Sequence, residues 1–477
     1  MKDIIIIGAG VTGAFIARKL ARYELDVLLI DKENDVGNVT SNANSAIVHS
    51  GYDPVPGTLK AKLNVLGNKM YDEIKDNLDV HMFRIGSITV ATSEKQMETL
   101  KDLLVRSKEN GVETRILNQE ELRKLEPNIS NSALGGLLAP TAGIVDPFNL
   151  VIHAVENALD NGVKLALDEE VIDIKDNGEH FLVKTNKNEY QSKIVINAAG
   201  LGCEKIARMI EDVDWHLIPR KGEYYVLDHY DVGLVNHVIF PLPSEKGKGV
   251  LVSPTSSGNY IVGPSSEPQD SIEDFSTDLE TLANIKAQAT DLVPNIPFNQ
   301  VIRVFSGIRP TTTRHDFIIE NSKVNQRFIN VAGIESPGLV SAPAIAEYMF
   351  ENCLKGLIEL KEKSNFNPKV RKYIRLNELT NEERNKLIKE NPHYGREICS
   401  CEKVSLGEIE DLLSRSVAPM TVKGVKRRVR AGFGKCQGGF CSPRVTLLLA
   451  KHYNISPIEV LWDKDGSEIL VEEIKKC

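Results

Sequence analysis

Two short stretches of the chain combine residue types and spacings that chemistry uses. Gly8-Ala9-Gly10-Val11-Thr12-Gly13 follows an apolar run at residues 2–7 and opens a helical pattern at residues 14–22. In that frame the first glycine permits a tight turn, the second lets backbone approach a pyrophosphate, and the third lets helix pack on strand. The free N–H groups of the helix start then face the phosphates. A second apolar run at residues 26–30 ends in Asp31, followed by Lys32, where an acid receives the ribose hydroxyls of a dinucleotide. The fingerprint alone does not separate FAD from NAD. The other stretch holds four of the seven cysteines, as Cys399-Ser400-Cys401 and Cys436-Gln437-Gly438-Gly439-Phe440-Cys441. Four thiolates make a soft, all-sulfur site that suits zinc or an iron–sulfur cluster. The CxC and CxxxxC spacings depart from the paired CxxC knuckles of zinc ribbons, so spacing separates the two imperfectly.

Certain elements must hold these residues in place. Residues 143–147 open a helix, residues 170–174, 181–184 and 193–196 form strand-like runs, and the last of these ends in Asn197-Ala198-Ala199-Gly200. Residues 328–332 make one more strand, and residues 333–339 lead into a helix. Around the cysteines, Ser405 and Glu408 form a capping box, a helix is expected at 422–431, and Pro443 suits the first turn of a third. At 477 residues, two or three domains are expected. Hydrophobic residues at 42% and charged residues at 26% indicate an ordinary globular chain. A net charge of -8 argues against nucleic-acid binding. No apolar stretch reaches bilayer length, so a cytoplasmic location is expected, with peripheral membrane contact and self-association both compatible with the composition.

Between Asp31 and residue 51 runs Thr40-Ser41-Asn42-Ala43-Asn44-Ser45-Ala46-Ile47-Val48-His49-Ser50-Gly51, small and polar, suited to close passage over a large cofactor. With the words NSAIVHSGYDP, GTLKAKL, RKGEYYVLD, FSGIRP and AGIESPGLVSAPAIAEYM, the chain resembles the D-amino-acid-oxidase-like FAD superfamily. Within it, the likeness is to the branch holding FAD-dependent glycerol-3-phosphate and L-2-hydroxyglutarate dehydrogenases. The resemblance implies an α/β FAD-binding, Rossmann-like domain of the glutathione-reductase type, discontinuous over residues 1–75, 142–210 and 325–360. An inserted α+β, mostly antiparallel substrate domain at 76–141 and 211–324 roofs the flavin. Noncovalent FAD is then held by Gly8, Gly10, Gly13, Asp31, Lys32, Thr40, Ser41, Asn44, Ser45, Val171, Ala199 and Gly200. The helix opening at Gly338, Leu339 and Val340 faces the flavin pyrimidine edge. Alcohol oxidation needs a base and an anionic substrate needs a fixed cation, and the resemblance gives these roles to His49 and Arg309. Arg220, Lys221 and Tyr224 are further substrate-side candidates, Arg314 and His315 weaker ones, and Cys203, Cys353 and Cys477 are read as packing, core and tail thiols.

The segment GKCQGGFCSPR resembles fused forms of the bacterioferritin-associated-ferredoxin-like 2Fe-2S domain, as appended to anaerobic glycerol-3-phosphate dehydrogenase large subunits. Charged, Asn-rich composition at 361–392 suggests a connecting segment that leaves the oxidoreductase body, and the resemblance implies a small, mostly helical 2Fe-2S domain at 393–477 with Cys399, Cys401, Cys436 and Cys441 as ligands. Lys423, Lys426, Arg427, Arg428, Arg430, Lys435 and Arg444 crowd it, with no acid between the first and last. Such charge would stabilise a reduced cluster and steer an acidic partner, or simply mark a solvated helix face. The expected activity is oxidation of a small anionic secondary alcohol, sn-glycerol 3-phosphate first and L-2-hydroxyglutarate second. Electrons pass singly to a partner, a second flavoprotein or a quinone-linked subunit on the inner face of the membrane. The alternatives are a non-catalytic electron-transfer subunit and a zinc-stabilised regulatory flavoprotein.

Overall fold

The computed structural model describes residues 1–229, 233–242 and 249–472, so Cys477 lies outside the described residues. The strand Lys2–Ile7 stands at the centre of the first sheet, parallel to Val27–Ile30 on one side and to Glu189–Asn197 on the other. Its side chains Ile4 to Ile7 are all buried, as a parallel strand covered on both faces requires. Lys164–Ala166 extends the sheet beyond Val27–Ile30, and Phe328–Ala332 lies parallel to the end of Glu189–Asn197. The helices Val11–Leu20, Pro147–Asp160 and Gly338–Met349 share one core with this sheet. Asp146 caps Pro147–Asp160, accepting from the N–H groups of Phe148 and Asn149 at 2.9 and 3.1 Å. Ile318–Asn321, which falls inside the span expected for the roof, instead folds back on Phe328–Ala332 and completes the first sheet.

Among the described residues, the second sheet is the expected antiparallel roof of nine strands, with one parallel pair, Val238–Pro241 beside Ser87–Ala91. Its longest pairing joins Leu217–Leu227 to Val301–Thr312, in register from Leu217 opposite Thr312. Among the described residues, no helix is long and apolar enough to cross a membrane.

The C-terminal module has its own core, built from Ile398, Ile409, Leu412, Val425, Val445 and Leu449 among others. Its helices are Leu406–Leu413, Val422–Val429 and Ser442–Tyr453, the first opened by the Ser405/Glu408 capping box and the third carrying proline in its first turn. The middle helix stops short of residue 431 because Arg430 takes a left-handed backbone, φ 64°. The connecting segment does not leave the body. The N–H of Val370 donates to Asn77 at 3.0 Å and that of Tyr373 to the Asp79 carboxylate at 2.9 Å. The Arg375 guanidinium pairs with the same carboxylate at 2.9 Å.

The module docks through buried charge. The Asp35 carboxylate, in the loop after Val27–Ile30, accepts two hydrogen bonds of 2.8 Å from Arg428 and another from Arg427. Arg427 is 3% exposed and Arg428 2%. Burial works to raise the Asp35 carboxyl, but Arg428 and Arg427 outweigh it and hold it well below the usual carboxylate range. The centre of the basic segment is therefore an internal latch, correcting the expectation of a solvated or partner-facing stripe. Lys435 and Arg444 alone of the seven are exposed. A second buried pair joins Arg415 to Glu156 at 3.0 Å. Removing one member of such a pair strands the other charge, at about 3–5 kcal/mol. Asp35→Ala is therefore expected to undock the module, exposing residues 361–392 to limited proteolysis while the body keeps its melting temperature. Wild-type protection in the variant would show that other contacts hold the module.

Candidate active site and cluster centre

A cavity of about 1680 Å³ is lined by both sheets and by the C-terminal module. A single ligand pocket is about 300–1,000 Å³, so there is room for a dinucleotide and more. Gly8, Gly10, Asp31, Lys32, Val171, Ala199 and Gly200 border one end. A Cβ on Gly13 would stand 1.8 Å from the Gly8 carbonyl, so helix and turn touch only because both are bare there. Gly10 caps the helix without a side-chain acceptor, leaving its first N–H groups open to a phosphate. Only the Val11 N–H is taken, by the Ser41 hydroxyl at 2.9 Å. The Asp31 carboxylate accepts from the N–H groups of Ala9 and Glu33 at 2.6 and 2.9 Å, and burial pushes its carboxyl up to about 6. Asp31 thus shapes the glycine turn as well as facing the cavity.

Residues 40–49 cross the middle of the cavity. The Thr40 hydroxyl donates to the Ile308 carbonyl of the roof at 3.0 Å, and the Asn44 amide folds the loop by bonding the Ser41 carbonyl and the Ala46 N–H, both at 2.8 Å. A Cβ on Gly307 would meet the Ala43 carbonyl at 2.2 Å, so the glycine of FSGIRP lets this loop lie against the roof. His49 borders the cavity, its ring 6.0 Å from that of Phe240. Its carbonyl is held by the amides of Asn64 and Asn68 at 2.7 and 2.9 Å, one turn apart on the helix Leu59–Asn77. Gly338 and Leu339 border the cavity as expected, whereas the Val340 side chain is fully buried in the core and does not.

The roof contributes a cationic wall. Arg220 and Arg309 are direct cross-strand partners, as are Tyr224 and Phe305, and all four line the cavity. Like charges directly opposite each other destabilise a sheet unless an anion is shared between them. Arg309 donates to the Ser265 carbonyl at 3.3 Å, while its Nη1 is buried without a hydrogen-bond partner among the described residues. The Tyr224 ring stacks on Phe305 at 4.6 Å, and its hydroxyl lies 3.3 Å from that of Ser45. Lys221 is a correction. Side chains alternate along a strand, so it points to the other face, where it pairs with Asp274 at 3.1 Å. Arg314 also turns away, paired with Glu320 at 2.8 Å and with Asp214, while His315 borders the cavity.

The four module cysteines stand in two pairs, though among the described residues no three metal-ligating side chains are gathered around one point. The Cys401 and Cys436 sulfurs are 3.7 Å apart, and the thiols of Cys399 and Cys441 are hydrogen-bonded, which holds Cys399 down to about 6. Two dithiol pairs fit a binuclear cluster with two sulfur ligands on each iron. Lys426, Arg430, Phe433 and Gln437 of this module line the far arm of the cavity. Burial first, and Arg303 second, push the Lys426 ammonium down to about 7.

Residues 3–352 match the family described as "FAD dependent oxidoreductase". The chain belongs to that family. Residues 397–451 of this oxidoreductase match the "BFD-like [2Fe-2S] binding domain", so its cofactors are FAD and a 2Fe-2S cluster, and zinc is set aside. The glycerol 3-phosphate dehydrogenase of Caloramator mitchellensis is 46% identical over 476 residues, 100% of this chain and 99% of the relative. The mitochondrial L-2-hydroxyglutarate dehydrogenase of Arabidopsis thaliana is 27% identical, over 74% of this chain and 83% of that one. Among solved structures, the dithionite-reduced L-alpha-glycerophosphate oxidase from Mycoplasma pneumoniae with FAD bound superimposes with a TM-score of 0.73. It is 30% identical and the match covers 77% of this chain and 98% of that one.

Sequence reasoning missed Asp35, and also the Lys60–Glu335 pair, 2.6 Å apart on the cavity wall. Both members of that pair stood in quoted words, GTLKAKL and AGIESPG, but nothing local joined them. A charge-assisted hydrogen bond contributes about 1.5–3 kcal/mol. Arg309→Gln is thus expected to weaken binding of inorganic phosphate, followed by flavin absorbance, about ten- to a hundredfold at unchanged FAD content. Equal affinity would remove Arg309 from the anion site.

Proposed function

We propose that this oxidoreductase oxidises sn-glycerol 3-phosphate to dihydroxyacetone phosphate. The observation that carries the reading is the opposed pair Arg220 and Arg309 on one cavity wall. A phosphate dianion suits two cations brought together at one point, better than a zwitterionic amino acid would. The full-length likeness to a glycerol 3-phosphate dehydrogenase, cluster domain included, supports the same substrate. FAD, when bound, supplies the hydride acceptor, and the cluster supplies a one-electron outlet. Arg309 and Arg220 bind the phosphate, the Tyr224–Phe305 stack walls the pocket, and a ring nitrogen of His49 takes the hydroxyl proton. The two asparagines on its carbonyl fix the backbone from which that imidazole reaches.

L-2-hydroxyglutarate is the second reading, since a dicarboxylate also satisfies two cations and the Arabidopsis relative carries that name. Presence of both His49 and Arg309 on the cavity weighs against a non-catalytic electron-transfer subunit. Electrons leave through the exposed Cys401, on a module whose exposed side chains include Phe440, Lys435 and Arg444. Such a surface suits an acidic redox partner, a second flavoprotein or a quinone-linked subunit, in the cytoplasm or at the membrane's inner face. Under anaerobic conditions glycerol 3-phosphate is expected to bleach the flavin, with L-2-hydroxyglutarate, lactate and amino acids failing to do so. His49→Ala is expected to slow that bleaching by about a hundredfold or more. Bleaching by L-2-hydroxyglutarate alone would reverse the order of the two readings, and unchanged kinetics in the variant would exclude His49 as the base.

A further inference from the structure

Each buried or half-buried cation in the module's basic segment is matched to a carboxylate, except one. Lys423 pairs with Asp463, Arg427 and Arg428 with Asp35, and Arg430 with Glu402 at 2.8 Å. Lys426 is 3% exposed and has no carboxylate within ion-pair reach among the described residues. Its ammonium lies 3.3 Å from the Gln437 side-chain oxygen, 4.7 Å from the Phe433 ring centre and 5.9 Å from that of Trp462. The Gln437 oxygen takes one of its N–H donors and the rings contribute cation–π attraction, but none of these contacts supplies a counter-charge, in a place where lone charges are costly.

The surroundings show what balances it. Lys426 and Gln437 both line the cavity that holds the flavin site, and Gln437 is bonded in sequence to Cys436. The charge of the Cys441 sulfur works to raise the Lys426 ammonium against burial. Four thiolates give the cluster a net negative charge, and each electron adds one unit more. We propose that Lys426 is the fixed counter-charge that draws each electron from the flavin site onto the cluster. The inference rests on the cofactor assignment and deepens the dehydrogenase reading.

The electron count is direct. Substrate oxidation gives the flavin two electrons with one hydride. They cross singly, each turning one ferric iron ferrous, and a one-electron acceptor protein removes the first before the second follows. A cation beside the cluster stabilises the ferrous state and so raises the cluster potential relative to the flavin. Arg430, half-buried and tied to Glu402, has its charge offset and supplies less of this field.

The test is a mediated spectroelectrochemical titration of the holoenzyme, the cluster followed by electron paramagnetic resonance and the flavin by absorbance. In Lys426→Met, with iron, sulfide and FAD contents unchanged, the cluster's electron affinity is expected to fall about tenfold or more, which is 59 mV for a one-electron couple. Lys426→Arg, which keeps the charge, should stay near the wild-type midpoint, and the flavin midpoint should hold in both. A wild-type cluster midpoint in Lys426→Met would overturn the proposal, as would an equal fall in both variants, which would trace the effect to shape. Mediators set the potential, so the comparison decides the role of Lys426 even if glycerol 3-phosphate proves not to be the substrate.

Discussion

Asp35 presents one carboxylate to two guanidinium groups in a place water does not reach. None of the three charges is tolerable there alone, so the loop after the second strand and the helix Val422–Val429 are bound to each other's position. The cavity depends on that constraint. Its far arm exists only because the module sits against the flavin-binding body, where Phe433 meets Phe148 at 5.5 Å and Arg430 reaches the Asn259 side chain of the roof at 3.0 Å. Free on a tether, the module would carry its cysteines away from the flavin-binding body, and no wall would be shared between flavin site and cluster.

The same arrangement separates this chain from an oxidase in physical terms. One end of the cavity gathers His49, the opposed Arg220 and Arg309, and the Tyr224–Phe305 stack. The opposite end carries no substrate group but a buried cation and the start of a cysteine loop. The flavin-binding body and the cluster module thus contribute different side chains to one cavity.

Much of this was legible before any coordinates. The glycine turn, its flanking strand and helix, the Ser405 capping box and the proline of the last helix follow from local rules, because each depends on residues a few positions apart. His49 and Arg309 were found through the resemblance, and the cavity brings both to its wall. Lys221 was legible and misjudged. Adjacent residues in the strand Leu217–Leu227 face opposite sides, so Arg220 and Lys221 never shared a pocket. Asp35 was not legible, since nothing near it in sequence announces partners almost four hundred positions away. The basic helix looked like a surface for the same reason, its counter-charge lying in another domain. The connecting segment's charged, Asn-rich composition suggested departure from the body, yet those polar groups fasten it there, as where the Asn367 carbonyl accepts from Asn157 and Asn161.

The central claim is that flavin site and cluster are held together by docking within one chain. Stopped-flow mixing of the anaerobic holoenzyme with glycerol 3-phosphate tests it most directly, with flavin bleaching and cluster reduction followed separately. The account predicts that cluster reduction follows flavin bleaching at a rate independent of protein concentration. A cluster-reduction rate that rises in proportion to protein concentration, or a cluster that stays oxidised while the flavin bleaches, would contradict it.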